Sequence, residues 1–300
     1  MCCLRKVKSN SEPRLRRLFM PELPEVETLR RQLEPQIKNQ LISKVVVRQS
    51  QLRWSITRNL TAKLQGQIVR SVNRRGKYLL LGTDNGSLII HLGMSGSLRI
   101  LPKNYPIKKH DHVDIIFSNG YGLRFNDPRR FGAILWSRDP LKHKLLANLG
   151  PEPLTTNFNS EYLCNRSRHR KVAIKPFIMD SHIVTGIGNV YANEALFCAG
   201  INPRCQVGKI SKQRYAILAK CIKKILHAAI KKNGTTFRDF ISSNGEPGQF
   251  APRLKVYGRG SMLCTKCGTK LREIKLRQRS TVYCPKCQNF CSCNAFSTSG

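Results

Sequence analysis

The chain has 300 residues, room for about two domains with separate cores, and carries 53 Lys+Arg against 17 Asp+Glu for a net charge of +36. Self-repulsion on that scale favours a chain that meets a polyanion, and nucleic acid, which gains affinity through phosphate counterion release, is the expected partner. No apolar run approaches the ~20 residues of a membrane helix, and the basic residues are spread along the chain rather than gathered on one amphipathic helix, so no membrane partner is expected.

Residues 1–19 are basic, nearly acid-free and without a period. They read as an extension ahead of Met20, either an upstream start codon or a short basic targeting or DNA-binding arm. The decapeptide that follows, Met-Pro-Glu-Leu-Pro-Glu-Val-Glu-Thr-Leu at 20–29, is the most informative segment. Pro21 becomes an N-terminus if Met20 is removed, and its secondary amine can then condense with a sugar aldehyde carbon to give a cationic iminium. Glu22 beside it supplies a carboxyl group for proton transfer at the same carbon. Val26, Leu29 and Leu33 share one helical face, with Pro35 as the expected end.

Eight short β-rich runs follow: 42–47, 68–72, 78–81, 88–92, 98–101, 113–117, 123–125 and 133–136, with Asn85-Gly86 and Asn119-Gly120 as turns. So many strands in about a hundred residues predict an antiparallel sandwich or barrel. Between them, His91-Leu-Gly-Met-Ser-Gly96 and Asp127-Pro-Arg-Arg-Phe-Gly132 present Met94, Arg129 and Phe131, types suited to wedging into a base stack and filling the gap left by an extruded nucleotide. The stretch 149–153 reads as a linker.

From about 160 the texture is helical. A helix is predicted after the Gly186/Gly188 pair, closing near Gly200, and a second over Tyr215–Ile230. The turn 184–189 offers backbone amides and a positive dipole end, a place for a phosphate with Asn189 as a further donor and Lys175 nearby. Residues 243–260, rich in Gly, Ser and Pro, read as a mobile loop.

Among twelve cysteines, Cys264-x2-Cys267 and Cys284-x2-Cys287 have the spacing of a four-thiolate zinc ribbon, in which Zn²⁺ is structural. The hairpin between them would set Lys275, Arg277 and Arg279 against phosphates. Cys291 and Cys293 lie outside as poorer ligands. Cys164, Cys198, Cys205 and Cys221 are expected as reduced thiols in or near a core, since no secretory leader accompanies them.

Taken together, PELPEVE, HLGMSGSLRIL, DPRRFG, NLGPEPL, AIKPFIMD, GIGNVYANEALF, GINP, VYGR and the Cys-x-x-Cys pairs, in this order from Met20 to about Gln288, resemble the bacterial formamidopyrimidine-DNA glycosylase family. Leu23 distinguishes the motif from the related endonuclease VIII type, which typically has Gly there and acts on oxidised pyrimidines. The resemblance implies an α+β fold in two domains: a catalytic antiparallel β-sandwich with flanking helices (20–148), a linker (149–160), a helix–two-turn–helix DNA-binding domain (161–260), a zinc finger (261–288) and a tail (289–300).

It also implies excision of 8-oxoguanine and formamidopyrimidines from double-stranded DNA, followed by β,δ-elimination at the abasic site. Pro21 matches the nucleophile, Glu22 the acid, and Lys77 the lysine serving elimination. Glu25 matches an orienting carboxylate, Met94, Arg129 and Phe131 the void-filling trio, and Asn189 and Arg279 phosphate-gripping residues, with Arg279 grouped among the catalytic set. Lys175 matches a lesion-handling lysine, His91 stands in the DNA-binding set, and 243–260 matches the loop that closes over the extruded base. One zinc ion, a monomer and a bacterial cytoplasm are expected, with an organelle open if residues 1–19 are a targeting segment. The chemistry requires a chain beginning at Pro21, because an acylated proline nitrogen is not nucleophilic. A silent DNA-binding scaffold is the alternative should the extension persist; a zinc-ribbon component of transcription or translation would leave the PELPE start unexplained.

Overall fold

The computed structural model describes residues 20–234, 250 and 253–289; the extension 1–19, half of the 243–260 loop, Cys291 and Cys293 lie outside this set. Helix α1 (Leu23–Ile37) opens with Pro24 in the first turn, where a missing N–H costs nothing, and with Glu25 Oε2 accepting from Glu22 N at 3.0 Å. Pro35 does not end it. The ladder resumes beyond the proline, with Lys38 N donating to Glu34 O at 3.0 Å, so the ring removes one donor from the last turn without stopping it.

Two four-stranded antiparallel sheets form the first domain. One runs β2 (Ser71–Arg75), β3 (Tyr78–Thr83), β4 (Gly86–His91), β8 (Ala133–Ser137); the other runs β1 (Ile42–Val47), β6 (Asp111–Phe117), β7 (Tyr121–Asn126), β5 (Ser97–Pro102). Alternate residues such as Val45, Leu79, Leu81, Ile90, Val113 and Phe125 fill the space between them; α1 adds Val26, Leu29, Leu33 and Ile37, and the short α2 (Leu60–Leu64) adds Leu60 and Leu64. The second strand starts three residues later than the sequence suggests. Ile68 bridges Leu41 and Val69 N bonds Gln40 O, so these residues close the base of β1 before β2 begins.

The second domain packs α3 (Ser160–Ser167), α4 (Ile174–Met179), α5 (Asn189–Cys198) and α6 (Lys212–Lys231) around Phe158, Phe177, Tyr191 and Tyr215. Two of the scattered cysteines correct an expectation. Cys198 at the end of α5 and Cys221 in mid-α6 are paired as a disulfide, with Cα atoms 5.8 Å apart, because the crossing of the two helices sets their side chains face to face. Cys164 is a free thiol, and Cys205 is buried in the helical core. The β9 (Arg272–Leu276) and β10 (Arg279–Tyr283) hairpin turns through Arg277 and Gln278, both at positive φ. It packs on α5 through Phe197, Val256, Leu271 and Val282. Glu194, buried on α5, ties this unit down by accepting from Lys255 N, Val256 N and Tyr257 N at 2.8–2.9 Å. Among the described residues no helix is long and apolar enough to cross a membrane.

Candidate active site and nucleic-acid interface

Pro21 and Glu22 are buried where the sandwich meets the helical domain. The Glu22 carboxylate sits on the N-terminus of α5, accepting from Gly188 N at 2.6 Å, Val190 N at 2.9 Å and Tyr191 N at 3.5 Å. The amides expected to cradle a phosphate are therefore occupied by a side chain of the first domain. The turn is built for that closeness: a Cβ at Gly188 would stand 2.3 Å from Glu22 Cδ. Leu23 N donates to Gly186 O at 3.0 Å, fixing the approach of the chain start. Burial pushes Glu22 up to about 7, aided by Glu25 and opposed by Lys77 and the amides. A carboxyl group poised there can give a proton near neutrality. Glu25, whose Oε1 accepts from Tyr191 Oη at 2.6 Å, orients the same corner.

Lys77 enters from the β2–β3 turn. Its ammonium donates to Ile187 O at 3.3 Å, and burial lowers its pKa against the attraction of Glu22 and Glu25. Gly76 makes the turn possible: at φ +57° its Cβ would collide with Thr185. Glu152, in the segment read as a linker, accepts from Gly76 N at 2.6 Å, Arg74 at 2.8 Å and Arg75 at 3.3 Å. The linker thus fixes the lysine-bearing turn across the domain boundary, a role that its Pro-rich sequence hides.

His91, at the end of β4, is pushed down to about 4 by burial and by Lys77 and Arg53. Gly93 N donates to its Nδ1 at 3.0 Å, which leaves Nε2 as the donor of a neutral ring. Arg279, exposed at the start of β10, lies close enough to Lys77 and Lys175 to depress both. Lys175 is placed differently from a surface DNA contact. It is 1 % exposed and donates to Ser280 O and Thr281 Oγ1 at 2.7 Å, with burial pushing it down to about 7. Asn189 is half-buried as the first residue of α5.

Met94 is half-buried, while Arg129 and Phe131 are exposed with the guanidinium 4.5 Å above the ring. Their two loops touch: Arg129 N donates to Ser95 Oγ at 3.2 Å.

Cys264, Cys267, Cys284 and Cys287 bring four sulfurs within 4.8 Å of one another. The Cys264–Cys287 and Cys267–Cys284 distances are 3.9 and 3.5 Å, which bracket the ~3.8 Å edge of a tetrahedron with ~2.3 Å Zn–S bonds. Lys266 N and Cys287 N donate to Cys264 Sγ and Cys284 Sγ, the amide support expected of two thiolate knuckles. The four thiolates fit one structural zinc ion.

An antiparallel sandwich, a helical domain that closes on Glu22 and a thiolate finger carrying Arg279 are the parts of a DNA glycosylase of the helix–two-turn–helix class. The sequence profiles agree: the N-terminal domain of formamidopyrimidine-DNA glycosylase matches residues 20–134, its H2TH domain 149–240, and the zinc finger found in FPG and IleRS 254–289. Formamidopyrimidine-DNA glycosylases of Pseudomonas paraeruginosa and Pseudomonas putida are 56% and 57% identical over 269 residues, covering 90% of this chain and all of each relative. The fold is similar to MutM (FPG) of Thermus thermophilus, at TM-score 0.81 and 33% identity over 89% of this chain and 98% of that one. It is also similar to Lactococcus lactis Fpg solved with abasic-site DNA, at TM-score 0.82 and 33% identity over 89% and 99%. The chain belongs to the formamidopyrimidine-DNA glycosylase family, enzymes that repair oxidised purines in DNA and carry AP lyase activity.

Proposed function

We propose that this chain, once it begins at Pro21, excises 8-oxoguanine and formamidopyrimidines through a covalent Pro21 iminium and then cleaves the strand by β,δ-elimination. The observation that carries the reading is the burial of Glu22, with its pKa near 7, beside Pro21 and Lys77. A terminal amine has a reference pKa of about 7.7–8.0 and so keeps a neutral fraction near pH 7. That lone pair attacks C1′ and the glycosidic bond breaks, the base leaving with a proton. Glu22 protonates O4′ as the sugar ring opens and the nitrogen lone pair forms the iminium. The cation acidifies the 2′ hydrogen; Lys77 serves its removal, the 3′ phosphate leaves, and a second elimination expels the 5′ phosphate.

Met94, Arg129 and Phe131 fill the gap in the duplex, Arg129 facing cytosine, while Arg279, His91 and Asn189 hold phosphates. Solved relatives bound to abasic-site DNA, to Fapy-dG DNA and to carbocyclic 8-oxo-G DNA support a damaged duplex as the substrate. Lys175 assists through the finger hairpin that it anchors. A monomer in a bacterial cytoplasm suits a single-site duplex enzyme.

Borohydride trapping tests the mechanism. The chain is expressed from Met20, mixed with duplex carrying 8-oxoguanine opposite cytosine, and reduced. A stable adduct mapping to Pro21 is the expected result. Binding without an adduct, or an adduct on a lysine, would overturn the reading in favour of a silent scaffold or another nucleophile.

A further inference from the structure

The loops that present Met94 and the Arg129–Phe131 pair are joined by a buried polar lock that the chemistry above leaves unused. Asp127 is fully buried. Its Oδ1 accepts from Ser95 Oγ at 2.6 Å and from Arg129 N at 3.3 Å, and its Oδ2 accepts from Gly132 N at 2.8 Å. Ser95 Oγ accepts in turn from Arg129 N, and the Asp127 carbonyl accepts from His112 Nε2 at 2.8 Å. The two backbones are in contact as well: a Cβ at Gly93, φ +65°, would stand 2.5 Å from the Phe131 carbonyl carbon.

Sinking a carboxylate this deeply is costly unless its bonds are all met. Here they are met by the loops that carry the wedge and by the hydroxyl next to Met94. A guanidinium reads a base edge only when held in the right place, and rigid placement of the reading group is what separates a correct from an incorrect partner base.

We propose that Asp127 and Ser95 are positioning residues that hold Met94, Arg129 and Phe131 as one rigid wedge, and so set the discrimination for the base opposite the lesion. The inference rests on the reading of those three side chains as the DNA wedge.

Ser95→Ala, Asp127→Asn and the double variant, all beginning at Pro21 and zinc-loaded, are compared with the parent chain. The readouts are single-turnover excision of 8-oxoguanine opposite cytosine and opposite adenine, the fluorescence of a 2-aminopurine beside the lesion, and affinity for undamaged duplex. Loss of a hydrogen bond to a charged group predicts a fall of about tenfold in the cytosine-over-adenine ratio for each single variant. The double variant falls no further than the worse single, as residues acting as one unit do. The 2-aminopurine signal drops in parallel, affinity for undamaged duplex stays within about twofold because phosphate contacts govern it, and Ser95→Thr restores the ratio.

An equal loss opposite both bases, or an unmoved ratio in Ser95→Ala, overturns the proposal. Should Asp127→Asn fail to fold, the Ser95 pair decides alone. A parent chain that excises from neither duplex would instead defeat the glycosylase reading itself, so the two failures are told apart.

Discussion

At the scale of single residues, the proposed mechanism couples an acid to the amine of a chain beginning at Pro21, and their protonation demands are opposed. Burial holds Glu22 near 7, so its proton-donating form declines above that pH, while a Pro21 amine with a reference pKa of about 7.7–8.0 becomes nucleophilic only as pH rises. Excision is therefore expected to follow a bell with its maximum between the two values, measured as single-turnover rate against pH. Glu22→Gln should lower the rate by about 10²–10⁴ and abolish the alkaline limb while the acidic limb persists. An alkaline limb that survives the substitution would assign it to another group. The same shift has a sign for stability. Because folding raises the pKa of Glu22 from 4.5, its contribution is fully present below about 4.5 and is lost as pH rises through about 7. The four cysteines were legible because each pair is local in sequence, and the proposal for Pro21 and Glu22 rests likewise on adjacent residues. Asp127, Glu152 and Glu194 were not legible, since each acts on amides far along the chain or hidden within turns.

Elements were read best where a period of two met a turn signal. The hairpins at Asn85-Gly86 and Asn119-Gly120 lie where the pattern sets them, whereas α1 outran its proline and Cys198 and Cys221 met only through the packing of α5 on α6. Helix α5 is the clearest case of an element whose sequence conceals its use. It is apolar nearly all round, and two of its polar residues hold the finger: Asn193 Oδ1 accepts from Val282 N at 2.9 Å, and Glu194 collects the three amides of 255–257. Removing that acceptor leaves buried donors unpaired, so Glu194→Ala should destabilise the chain by about 3 kcal/mol. It should also raise amide exchange at Val256 and Tyr257 first. Glu194→Gln, which keeps one oxygen, should recover about half of that loss in denaturant midpoint. Equal exchange rates in parent and Ala variant at those two amides would show that the finger is anchored elsewhere.

For the whole molecule, the finger lies in sequence farthest from Pro21, yet its Arg279 stands close enough to Lys77 to act on it. Its small core of Phe197, Val256, Leu271 and Val282 surrounds the thiolates, too little apolar burial to order a short hairpin without the metal. That hairpin carries Arg279 and supplies both acceptors of the Lys175 ammonium. Loss of zinc therefore reaches the active site twice, by withdrawing the Arg279 guanidinium from beside Lys77 and by releasing a buried lysine. The sandwich has its own core, centred on Leu79, Leu81, Ile90, Val113 and Phe125, and should not notice. Chelation, followed by a colorimetric zinc assay, is expected to release one ion per chain. It should lower affinity for abasic-site duplex by at least about 100-fold, as loss of several phosphate contacts predicts, while the unfolding transition of the β-sandwich moves by less than about 2 °C. Cys284→Ser should reproduce both results without a chelator. Tight DNA binding by chain stripped of its zinc would mean that the thiolate cluster orders nothing that DNA binding requires.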